Sequence, residues 1–216
     1  MTVISNRSTA SLDIVSFYLY LIEGAILMFV NGYMGSVVFM SKRLRNQKEY
    51  VLIGSNMLFD AYFGFSWLMC GVYSLNLYYN NEYLPLYSKW ECFILYQTLI
   101  FTISAPSVGW ISFFTCIDRL VSIVFPVKYM KLPAKFAYLT PILAALFTMP
   151  IVVLFGITSY WYKDDLYTEP ALCDLENTGS TDVYQAYRGT RIACSLSCVL
   201  IYIPIAFKSY KVSYQS

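Results

Sequence analysis

"TCIDRLVSIVFPVKY", Thr115 to Tyr129, sets two charges, Asp118 and Arg119, at the foot of a long apolar segment. Residues 93–117 carry no charged side chain, whereas Pro126 is followed by Lys128, Lys131 and Lys135. A membrane-spanning helix needs about 20 mostly apolar residues. Proline removes a backbone donor and stops or bends a helix. The stretch therefore reads as a span that ends in a basic connection. By charge alone, Arg119 would be an ordinary interfacial anchor. Its rigid fork of five donors also suits a carboxylate. With Asp118 beside it, the pair forms a possible two-state element: Arg119 held by Asp118, or released to another partner.

Working outward, the composition agrees with a membrane protein. The chain has 216 residues, 58% hydrophobic, 19% aromatic and 13% charged, with a mean hydropathy of +0.53. A soluble domain averages about 25% charged residues, so half the charge expected of a water-facing surface is absent. Five stretches are apolar enough to span: about 14–40, 51–75, 93–125, 136–160 and 190–208. Lipid offers no hydrogen bonds to the backbone, so each is expected to be a helix. The expected fold is an all-α polytopic membrane helix bundle, preceded by a tail at 1–13. The net charge of +2 gives no reason to expect a nucleic-acid partner. With no histidine in the chain, neither a histidine metal site nor a Ser-His-Asp triad can be built. No metal, no cofactor and no enzymatic activity are expected.

Orientation follows from the cations. Ten of the fifteen Lys and Arg residues would share one face: Lys42, Arg43, Arg45, Lys48, Arg119, Lys128, Lys131, Lys135, Lys208 and Lys211. The positive-inside rule places that face in the cytoplasm and the N-terminus outside. Nine of the thirteen acids fall on the opposite side, most of them in the connection at about 161–189. Asn6-Arg7-Ser8 is then a glycosylation acceptor on the outer side.

Some residues are costly where they stand. An aspartate at a helix centre costs about 2.5–3.5 kcal/mol to insert, yet Asp60 sits mid-span. Such groups usually face the bundle interior and have a function. Asn31 lies at similar depth in the first span, and an Asn31–Asp60 hydrogen bond is expected. Glu23, in the outer half of the first span, is expected to snorkel to the interface. Of six cysteines, Cys70, Cys116, Cys194 and Cys198 lie inside spans and behave as small apolar residues. Cys92 and Cys173 lie outside them, in an oxidising compartment, where a disulfide is expected to tie the acidic loop over the bundle mouth.

In order along the chain stand Asn31, the Leu44-Arg45 loop, Asp60, "KWECF" at 89–93, "CIDRLVSIVFPVKY" at 116–129, Cys173 and Pro204 in "LIYIPIAF". Together these resemble a rhodopsin-like G-protein-coupled receptor, and more closely the nematode serpentine chemoreceptors of the Srsx type, over about residues 24–208. The resemblance implies a seven-helix receptor architecture, of which five spans are present. The chain is accordingly expected to be truncated after the fifth span. It further implies a plasma-membrane receptor for a small-molecule or peptide ligand, bound in the outer half of the bundle. Gln97, Phe101 and Ser104 share one face of span three and are expected to line that cavity. Asp118 and Arg119 would be the switch for a heterotrimeric G protein at the inner end. Two departures stand out: Cys92 to Arg119 is 27 residues, slightly long for the family, and span four lacks its common tryptophan. Two other readings stay open: a non-signalling truncated receptor that associates with full-length receptors, and a small membrane transporter.

Overall fold

The computed structural model describes residues 6–80, 86–163, 169–170, 172–173 and 175–213, with side chains from residue 14 to residue 204 except Leu86, Ala134, Glu169, Pro170 and Asn177. Its helices in chain order are α1 (Asn6–Met40), α2 (Lys42–Arg45), α3 (Lys48–Asn80), α4 (Lys89–Ile94), α5 (Tyr96–Val124), α6 (Pro126–Met130), α7 (Leu139–Trp161), α8 (Leu175–Thr178) and α9 (Thr181–Ser213). A 3-10 turn, Ala134–Tyr138, precedes α7. Two short strands, β1 (Leu86–Tyr87) and β2 (Glu169–Pro170), pair antiparallel at one end of the bundle.

The chain is a helical bundle of membrane type. Ile14–Met40, Tyr96–Val124 and Lys135–Trp161 are each long and apolar enough to cross a bilayer. The expected second and fifth spans form helices of 33 residues each, α3 and α9. The polarity pattern is inverted relative to a soluble protein. Ser55, Ser66, Thr102, Ser104, Thr148 and Ser159 are buried, while Leu19, Ile26, Phe29, Val30, Leu146, Val153, Leu196 and Val199 face outward. Lipid tails are as apolar as leucine, so nothing drives these outer side chains inward.

Small residues set the closest packing. A Cβ on Gly24 would lie 2.5 Å from the Leu68 backbone nitrogen, and one on Gly64 would lie 2.7 Å from the Met28 nitrogen. The α1 and α3 backbones touch there, as small-residue membrane interfaces allow. α5 is the central helix, packed against α3, α7 and α9. It runs through Pro106 without a break. Ser107 donates to the Ile103 carbonyl at 2.7 Å and meets the Thr148 hydroxyl of α7 at 3.1 Å.

Helix ends do not coincide with the span limits read from the sequence; α3, at Lys48–Asn80, outruns the expected 51–75 at both ends. α1 begins at Asn6, so the expected tail at 1–13 is helical from there onward; the Asn6 side chain and residues 1–5 lie outside the described part. The third span starts at Tyr96 rather than 93, because Leu95 is extended (φ −59°, ψ 134°) between α4 and α5. α4 has its own start signal, a reciprocal cap between Ser88 and Glu91. The joint at Leu95 lies within the interval from Cys92 to Arg119. The fifth helix begins nine residues earlier than the expected 190, at Thr181.

Candidate functional site

Two polar regions stand at opposite ends of the bundle. At the end carrying the strands, Cys92 and Cys173 are bonded, S–S 1.98 Å, which fastens the 161–189 connection to the start of span three. Cys173 holds a positive φ of 50°, a conformation unfavourable for a side-chain-bearing residue. The connection is held down further by Ser159, which donates to the Thr178 carbonyl at 2.8 Å, and by Lys89, which donates to the Gly179 carbonyl at 3.4 Å.

Beneath this loop lies a cavity of about 360 Å³ between α1, α3 and α5. Tyr20, Trp67 and Phe101 form an aromatic wall. The Tyr20 and Trp67 ring centroids are 4.6 Å apart, and Trp67 meets Phe101 edge-on at 5.1 Å. Gln97 and Thr98 stand on the α5 side, each 4% exposed. The Gln97 Nε2 and Oε1 atoms and the Thr98 hydroxyl have no hydrogen-bond partner among the described residues. Among the described residues, no charged side chain lines the cavity.

Of the three expected lining residues, Gln97 and Phe101 reach this cavity and Ser104 does not. Ser104 is fully buried against α3, where its hydroxyl donates to Ser66 Oγ at 2.9 Å. The α5 stripe passes from cavity-facing to helix-bonding within one turn. Tyr20, Trp67, Ser74 and Thr98 line the cavity without having been singled out by the sequence reading. A signal existed in Trp67, Cys70 and Ser74, which recur at i, i+3 and i+7 on span two.

Asn31 and Asp60 lie at the same depth but share no hydrogen bond, contrary to expectation. The α1–α3 seam passes through Gly32 and Ala61: a Cβ added at Gly32 would lie 3.8 Å from the Ala61 Cβ. Asn31 and Asp60 each precede those seam residues, so they sit on one flank of the seam rather than face to face. Asn56 makes the polar contact instead, donating to Thr115 Oγ1 at 2.8 Å and to the Leu52 carbonyl at 3.0 Å. Glu23 is exposed on α1.

At the opposite, basic end, Asp118 and Arg119 do not pair. Asp118 is 8% exposed and accepts a 2.8 Å hydrogen bond from the Tyr129 hydroxyl. Pro126 starts α6 and so turns Tyr129 back beneath the end of α5. Lys48 of α3 donates to the Tyr129 carbonyl, and its Nζ stands 3.7 Å from the Tyr129 ring centre. Burial first, then the Asp118 carboxylate, push the Tyr129 phenol well above its usual range. Arg119 instead faces Glu49 of α3 at 3.8 Å. The adjacent positions 118 and 119 project about 100° apart on the helix, which sends one to α6 and the other to α3. Tyr129, Glu49 and Lys48 were not identified from sequence as partners of this pair.

A comparison with curated proteins gives no match. Residues 25–216 match the family model described as serpentine type 7TM GPCR chemoreceptor Srsx. The matched region contains both the Gln97 side of the cavity and the Asp118–Arg119 network, and the chain belongs to the Srsx family of serpentine chemoreceptors, a multi-pass membrane family of the G-protein-coupled receptor class.

Proposed function

We propose that this chain is a chemosensory receptor of the plasma membrane that binds a small ligand beneath the disulfide-tied loop and signals to a heterotrimeric G protein at its basic end. The observation that carries the reading is the cavity below Cys92–Cys173, where a buried glutamine amide stands with both polar atoms unpartnered among the described residues. An unmet buried donor or acceptor costs about 1–3 kcal/mol, and a ligand supplying the missing partners recovers it. The excess of Lys and Arg at the other end supports an orientation with the N-terminus and cavity outside. In that orientation Asn6 is available for glycosylation, and Asp118 and Arg119 face the cytoplasm.

Signalling would use the network at Arg119. Asp118 is engaged by the Tyr129 hydroxyl, which leaves the guanidinium to the weaker, more exposed contact with Glu49. An exposed ion pair contributes about 0.2–1 kcal/mol, small enough for a ligand with modest preference between two states to overcome. The test is guanine-nucleotide exchange on a heterotrimeric G protein, with the chain in lipid nanodiscs and a panel of volatile and soluble small molecules. Acceleration by at least one compound, abolished by Arg119→Ala, is expected. A well-folded preparation in which the exchange rate is the same with and without Arg119 would refute it.

A further inference from the structure

The cavity's chemistry restricts what it can hold. Its polar groups include the Gln97 amide and the Thr98 and Ser74 hydroxyls, set against Tyr20, Trp67 and Phe101. Gln97 offers a donor and an acceptor side by side, and neither atom is used by another described residue. A carboxamide or a lactam satisfies both at once, because it carries an acceptor and a donor side by side. A carboxylate could pair only with Gln97 Nε2 and an ammonium only with Gln97 Oε1, and each leaves the other buried atom unmet. The aromatic rings present flat apolar faces suited to a ring or a short unsaturated body. A volume of about 360 Å³ is at the small end of known ligand pockets, about 300–1,000 Å³.

We infer that the site selects a neutral, ring-bearing carboxamide and rejects the corresponding cation and anion. This rests on the cavity being the receptor's ligand site, as proposed above. Gln97 is the selecting residue: its amide pairs with the ligand amide while the aromatic wall takes the ring. Thr98 supplies a further hydroxyl to the ligand carbonyl.

The test uses the full chain in lipid nanodiscs and four probes: benzamide, N,N-dimethylbenzamide, benzoate and benzylamine. Binding is followed by ligand-observed NMR titration. Benzamide is expected to bind about 10-fold more tightly than each of the others, the discrimination given by leaving one buried hydrogen-bonding group unmet. Gln97→Leu should erase that preference, and Gln97→Glu should transfer it to benzylammonium. Ser74→Trp, which fills the cavity, should remove binding of benzamide altogether. The Cys92–Cys173 bridge, read from mobility without reductant, verifies that each variant is folded. If benzoate or benzylammonium binds as well as benzamide and Ser74→Trp removes that binding, the ligand class is wrong while the cavity reading stands. If binding is indifferent to Ser74→Trp, the cavity reading fails with it. Absence of benzamide binding, or a benzamide preference unchanged by Gln97→Leu, overturns the inference.

Discussion

Replacing Tyr129 by phenylalanine removes one atom from the basic-end network and leaves the rest in place. The lost hydroxyl donates to Asp118 at 2.8 Å, with Tyr129 5% and Asp118 8% exposed, so water does not readily take its place. A hydrogen bond to a charged group contributes about 1.5–3 kcal/mol, and the low exposure of both partners puts this one in the upper half of that range. The phenyl ring left by the substitution would still face the Lys48 cation, a contact of about 0.5–2 kcal/mol that needs no hydroxyl. Tyr129→Phe is therefore expected to destabilise the protein by about 2–3 kcal/mol, and Tyr129→Ala by clearly more, since the ring is lost as well. The assay is reversible unfolding in mixed micelles with increasing dodecyl sulfate, run as a double-mutant cycle with Asp118→Asn. A coupling energy of about 1.5 kcal/mol or more is expected between the two positions. A Tyr129→Phe protein within about 0.5 kcal/mol of the parent, or a cycle without coupling, would refute the reasoning.

Four other outcomes follow from the same structure. Glu49→Gln should change stability by less than about 1 kcal/mol, because Glu49 is 61% exposed, yet raise basal nucleotide exchange up to about 5-fold by releasing Arg119; a stability loss with unchanged basal exchange would count against the contact as a restraint. Gly64→Leu should destabilise by about 1–3 kcal/mol or more through overpacking of the α1–α3 seam, whereas Gly189→Ala, with nothing within 4 Å of its added methyl, should gain about 0.5–1 kcal/mol; unfolding titrations that rank the two alike would contradict the packing. Asn31→Leu and Asp60→Leu should be additive to within about 0.5 kcal/mol, and marked coupling in that cycle would restore the hydrogen bond the structure lacks. Cys173→Ser should abolish the mobility difference between reduced and unreduced protein on gels, while a difference that persists would place the bridge elsewhere.

The sequence revealed what lipid and charge impose on it and little of what side chains do to each other. Span positions, the bundle class and the Cys92–Cys173 bridge follow from apolar length and from compartment, which act on single residues or short stretches. Partner choice depends on helix rotation, and that is set by the Gly24–Gly64 approach, which no local pattern predicts. A rotation placing Gly32 and Ala61 on the seam moved Asn31 and Asp60 to its flank. The same dependence separated Asp118 from Arg119. Neighbours in sequence lie about 100° apart on a helix, and the return of the chain at Pro126 brought Tyr129 to one while α3 brought Glu49 to the other. Ser104 was assigned to the cavity by its spacing from Gln97 and Phe101, but one turn of depth places it against Ser66. The joint at Leu95 was invisible because an extended residue in an apolar run leaves no compositional trace.

The account requires the disulfide-tied cavity and the Asp118–Arg119 network to face opposite sides of the membrane, with the cavity outside. Cysteines introduced singly at Thr181 and Lys131, both exposed and at opposite ends of the bundle, in a background with Cys70, Cys116, Cys194 and Cys198 replaced by alanine, test this without knowledge of the ligand. In intact cells expressing Thr181→Cys, a membrane-impermeant maleimide should label the protein at once. In Lys131→Cys it should label only after permeabilisation. Labelling in the reverse order, or labelling of both positions in intact cells, would contradict the placement of ligand entry outside and signalling within.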